Sequence, residues 1–263
     1  MFAALFGELV LHRRLDTESE ATQDAYSLFY ARSSAMRWLT PAVQGAAGGL
    51  WGMNDAAAVP DSGPRPSRVA FFQVVLTEPS LGKLLPVQPF LVCAGDVMAR
   101  LGMLRLDAVQ VLLPEREAEE DAQFASPSGA RVASSLLDAD NWFAGGDPRA
   151  RTVVRVTLDG GPDPSIRAAA PAIVQWARDV RQEVFACDSL SLAEDDHLIL
   201  RPIPFDPAPA GPHRVTFRGT LAEWSLDALG WLAAFLADGT ARHGISSQLT
   251  LTADRTAGTH LAK

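Results

Sequence analysis

The order in which two hydrophobic periods follow one another restricts this chain more than any motif in it. Stretches that alternate apolar and polar residues, as half-buried strands do, are separated by stretches whose apolar residues recur every three or four positions, as in amphipathic helices. In the C-terminal half, Val154, Val156 and Leu158 alternate with Arg151, Arg155 and Thr157. Ile166, Ala169, Ile173, Trp176, Ala177 and Val180 then line one side of a helix. Phe185 to Leu192 and Leu198 to Ile203 read as a hairpin around Glu194-Asp195-Asp196, and His213 to Arg218 alternates again. Ser225 opens a second helix as its N-cap, Asp227 suits its first turn, and Gly244 stops it. Gln248 to Thr252 is the last strand, before a polar tail.

The N-terminal half follows a similar order. A strand is expected over Glu8 to Leu15, and then a helix opened by the capping-box pair Thr17 and Glu20 and running to about Leu39. Gly45 to Ser67, rich in glycine and proline, reads as a break. Val69 to Leu76 is β-branched, aromatic and too short for a helix, so it reads as a buried strand. Phe90, Cys93, Val97 and Leu101 mark a helix, and Asp107 to Leu113 a further strand.

Twice, then, the chain spells approximately βαββαβ. The fold expected is α+β: two tandem ferredoxin-like plaits, each an antiparallel sheet with its helices on one face. The units would be residues 1–114 and 151–255, joined by an acidic and Gly/Pro-rich linker at 115–150 holding a short helix, with a polar tail at 256–263. The competing architecture is a single α+β domain with one continuous sheet.

Charge narrows the partners. Twenty-three basic residues against 31 acidic ones leave a formal net charge of −8, which opposes nonspecific binding to nucleic acid or anionic membrane unless the basic groups are segregated. All basic residues but Lys83 and Lys263 are arginine, whose planar guanidinium suits carboxylate and phosphate. No apolar run approaches the roughly 20 residues that cross a bilayer, and the apolar start Met1 to Phe6 lacks the basic residue of a secretory signal. Cys93 and Cys187 each stand in apolar stretches, as buried thiols do in a reducing compartment. The expectation is a soluble cytoplasmic protein with no membrane partner.

No catalytic residue, metal site or cofactor is expected. His12, His197, His213, His243 and His260 show no metal-ligand spacing. Asp159-Gly160-Gly161 lacks the spacing of a phosphate-binding loop, and there is no nucleophile elbow or activated thiol.

What remains is one charged surface and one apolar helix. In a plait, strand alternation sends Val215 and Phe217 to the core and Arg214, Thr216 and Arg218 to the opposite face, where Arg151 and Arg155 would join them. Arg151, Arg155, Arg214, Arg218 and Thr216 are therefore the expected anion- or partner-binding residues. The plain alternative is that these arginines pair with local acids. Along the helix after Ser225, Leu226, Leu229, Leu232 and Leu236 form one apolar stripe, and Ala228, Trp231 and Phe235 another. Trp231 and Phe235 mark either an internal junction or an interface with a partner or second copy.

The leading expectation is a noncatalytic binding or assembly protein, with a protein partner, a homo-oligomer or a small anionic ligand at the arginine face. The alternative is a small-molecule enzyme, monooxygenase- or isomerase-like, with a barrel-type cavity between facing plaits and His213 as general base. The third reading is an RNA-binding subunit, which the missing sheet aromatics disfavour.

Overall fold

The computed structural model describes residues 1–12, 24–40, 49–58, 66–77, 84–116, 134–192 and 213–256. Among them, strands β1 (Phe2–Leu11), β2 (Trp51–Ala58), β3 (Ser67–Leu76), β4 (Gly102–Leu113), β5 (Thr152–Asp159), β6 (Phe185–Ser191), β7 (Arg214–Leu221) and β8 (Leu249–Arg255) build one antiparallel sheet. Its order is β2-β3-β1-β4-β8-β5-β7-β6. The fold is thus α+β with a single eight-stranded antiparallel sheet and its helices. The halves meet at β4 and β8, which pair from Ala108↔Asp254 to Leu113↔Leu249. The halves lie edge to edge in this one sheet.

The helices are α1 (Ala25–Ala35), α2 (Val87–Leu101), α3 (Ser134–Ala144), α4 (Ser165–Asp179) and α5 (Leu226–Arg242). One core cluster holds buried residues from all five together with the inward side of the strands, including Leu5, Phe72, Val111, Val156, Phe217 and Leu251. Alternation explains the sidedness: Leu249, Leu251 and Ala253 enter this core, while Thr250, Thr252 and Asp254 point to the opposite face. The centre of the core is α5, apolar around most of its circumference and buried from Leu226 to Thr240 except at Asp227. The crossing of α5 with α2 is so close that a Cβ on Gly230 would lie 2.7 Å from the Gln88 Cα.

Three details differ from the sequence reading. First, β1 begins at Phe2, so the apolar start of the chain is a strand rather than a preface to one. Second, α1 begins after Asp24, whose carboxylate accepts from the Ser27 N–H at 2.6 Å; Thr17 and Glu20 lie outside the described residues. Third, the Gly/Pro break contains β2, an edge strand whose Trp51-Gly52-Met53-Asn54-Asp55 run has no clean alternation and shifts register between Met53 and Asp55. The linker helix α3 packs on α5, in keeping with the internal-junction reading of Trp231 and Phe235. Most of the expected acidic run at 115–121, the strand Leu198 to Ile203, Asp195-Asp196-His197 and nearly all of the tail fall outside the described residues. No described helix is long and apolar enough to cross a membrane.

Candidate functional site

The face turned away from the helices is organised by register into rows that run across several strands. One row reads Phe6, Ala108, Asp254, Arg155, Arg218, Ser189 from β1 to β6. The next reads Ala4, Gln110, Thr252, Thr157, Thr216, Ser191, and the third Phe2, Leu112, Thr250, Asp159, Arg214. Toward β1 the face is apolar, with Phe2, Ala4, Phe6 and Ala108 in a buried cluster and Phe2 stacked on Phe71 at 5.8 Å. Toward β7 it is charged and polar.

Arg155, Arg214 and Arg218 therefore share one surface, with Thr216 between Arg214 and Arg218 along β7. Arg151 does not join them. It precedes β5, is exposed, and donates to the Glu183 carbonyl at 3.0 Å, with the Glu183 carboxylate at 3.4 Å.

Two of the arginines are engaged by acids on neighbouring strands. Arg155 grips Asp254 through Nε at 3.1 Å and Nη2 at 3.2 Å, a two-point contact in which both side chains are largely buried. Arg214 Nε donates to Asp159 Oδ2 at 2.8 Å. Arg218 is the exposed member, directly across from Arg155 and beside Val153, which is 51% exposed. Burial pushes the Asp254 carboxyl above the usual carboxylate range, opposed by the Arg155 hydrogen bond and by the charges of Arg155 and Arg218. The first row thus places two guanidinium groups around one buried carboxylate.

Between these charges runs a polar stripe. Gln110 Nε2 donates to Thr252 Oγ1 at 3.4 Å, and the Thr157 and Thr216 hydroxyls are 3.1 Å apart. Gln110 Oε1 is buried without a hydrogen-bond partner.

Sequence reasoning missed Asp254, Asp159 and Gln110. A signal for Asp254 was present: the alternation of Thr250 and Thr252 continues through it, although the expected strand stops at Thr252. The Asp159 partnership needs the β5–β7 register, which no local pattern carries.

Trp231 and Phe235 are fully buried. Trp231 stacks on Phe235 at 4.8 Å, Phe235 on Trp176 at 4.5 Å, and Trp231 Nε1 donates to the Leu136 carbonyl at 2.8 Å. Their place is the internal junction where α3, α4 and α5 meet, and they present no surface to another chain.

His213 immediately precedes β7, outside the arginine row, with its Nδ1 buried and without a hydrogen-bond partner. Its neighbour Asp163 is held below the usual carboxylate range by the Ser165 N–H at 2.9 Å and the Ser247 hydroxyl at 2.7 Å. A groove of about 500 Å³ between α1 and α2 is lined by Leu28, Ala31, Ala35 and Val97 and crossed by the Arg32–Asp96 ion pair at 2.7 Å. It contains none of the three face arginines. Among the described residues no cluster of histidine, cysteine and carboxylate side chains is arranged to hold a metal ion. No family model, curated protein or solved structure matches the chain.

Proposed function

We propose that this chain is a noncatalytic binding or assembly protein that contacts an acidic partner, or a small anionic ligand, through the arginine-bearing face of its C-terminal half. The observation that supports this reading is the row Asp254, Arg155, Arg218. Arg155 is held rigid by its two-point contact, and the exposed Arg218 stands across from it. Preorganised guanidinium groups lose less side-chain freedom when they take up a carboxylate, and their fork geometry favours planar anions.

In this reading each half is a ferredoxin-like plait, on the strength of the orders β2-β3-β1-β4 and β6-β7-β5-β8 and the helix that follows the first and third strand of each. Residues 1–114 and 151–255 are then the two units, with the arginine face belonging to the second. Free Cys93 and Cys187 fit a reducing compartment such as the cytoplasm.

The test is a calorimetric titration of the full chain with an oligoglutamate peptide, repeated with R218E. The wild type should bind, with affinity falling as salt is raised. R218E should weaken binding by about tenfold or more, since it turns attraction into repulsion at the exposed end of the row. Equal titration curves for the two proteins would sink the proposal.

A further inference from the structure

The β1–β4 pairing runs beyond the rest of the sheet. β3 accompanies β1 only as far as Gly7, and β8 accompanies β4 only from Ala108. Glu8 to Leu11 and Gly102 to Arg105 therefore form a two-stranded ribbon past both neighbours. Its base is a register shift between Phe6 and Gly7, with Gly7 at φ 152° and packed so closely that a side chain there would strike the Arg105 carbonyl. A bulge of this kind bends and twists the strand, turning the ribbon's face away from the plane of the main sheet.

Leu9 and Leu104 pair on the core side of the ribbon. The other side shows Val10 opposite Met103 and Glu8 opposite Arg105. All four are exposed, Val10 at 54% and Met103 at 70%, which makes Met103 among the most exposed large apolar side chains described. An apolar pair beside an acid–base pair, each in direct cross-strand register, is complementary to itself. A two-fold axis running parallel to the strands above the face carries one copy's β1 over the other's β4 at the same height. Glu8 then meets Arg105, Arg105 meets Glu8, and Val10 meets Met103 in both directions. This is the defining property of an isologous interface.

We infer that this ribbon face is a self-association surface at which two copies of the chain stack. Because four side chains per copy cover less than the roughly 1,200 Å² of a stable complex, the dimer is weak and concentration-dependent. It is independent of the arginine face, whose residues lie on β5 and β7.

Sedimentation equilibrium of the full chain, from low micromolar to several hundred micromolar, tests it. The wild type should shift from monomer toward dimer across that range. M103E should raise the dissociation constant by about tenfold or more, E8R and R105E should each weaken association, and the E8R/R105E swap should restore it. All four positions are exposed, so melting curves should shift by no more than the few degrees that a like-charge cross-strand pair costs, and exclude misfolding as the cause. A wild type that remains monomeric overturns the inference, as does a dimer indifferent to M103E. A swap no better than its single parents also overturns it and assigns the face to a different partner.

Discussion

Replacing Trp231 by alanine removes one of two tryptophans from the junction of three helices. The indole is fully buried and stacked on Phe235, and its N–H is spent on the Leu136 carbonyl at 2.8 Å. Large-to-small substitution at such a site costs about 3–5 kcal/mol, a figure that already includes the cavity left among its neighbours. The stranded Leu136 carbonyl adds about 1–3 kcal/mol if α3 stays in place, and less if α3 moves and lets water reach it. A loss of about 5 kcal/mol follows, or roughly 10–20 °C in melting temperature for a chain of this size. Trp231→Phe keeps a stacked ring but gives up the donor and part of the indole volume, so it should cost less than Trp231→Ala, about 2–3 kcal/mol. Urea titration followed by fluorescence and circular dichroism measures both variants. Hydrogen exchange should show residues 134–144 losing protection in Trp231→Phe, because the tether of α3 to α5 is then cut. If Trp231→Ala unfolds within about 1 kcal/mol of the wild type, the claim that the indole organises an internal junction is wrong.

Two further substitutions probe the sheet and the helix layer. Arg155→Ala leaves the Asp254 carboxylate buried without its two-point partner, so stability at neutral pH should fall by about 3 kcal/mol. Asp254 already titrates above its unfolded value, so the folded chain binds this proton more tightly than the unfolded chain does. The cost of ionising Asp254 is therefore relieved as pH falls through its folded pKa. The Arg155→Ala deficit should shrink from neutral pH toward about 4, and a deficit constant across that range in denaturant titrations would refute this account. Gly230→Ala drives a methyl group toward the Gln88 Cα at the α2–α5 crossing and should cost about 1–3 kcal/mol. A neutral effect on the denaturation midpoint would mean that the two halves pack less closely than described.

The legible parts of the fold were those with a strong local period. α2, α4 and α5 lie where apolar spacing places them, and Ser225 caps α5 by accepting from the Ala228 N–H at 3.1 Å. Gly244 takes the positive φ of 78° expected past a helix end. β2 was illegible because a register shift between Met53 and Asp55 breaks its two-residue repeat, and its glycine, asparagine and aspartate look like a turn. The start of β1 was equally hidden. Buried on both faces, Phe2 to Phe6 is a continuous apolar run with no period to read.

The candidate site divides along the same line. That Arg155, Arg214 and Arg218 point away from the core follows from the two-residue repeat of each strand, a local consequence of the pleat that needs no knowledge of the neighbours. Which groups they meet is a matter of pairing between distant segments. Asp254 reaches Arg155 across 99 positions of chain, and Arg214 reaches Asp159 across 55. The joining of β4 to β8, which makes one sheet out of two halves, is of the same kind. Alternation determines which side of a strand a residue occupies. Register, strand order and the burial of α5 depend on contacts that exist only once the whole chain has closed on itself, so they became visible only in three dimensions.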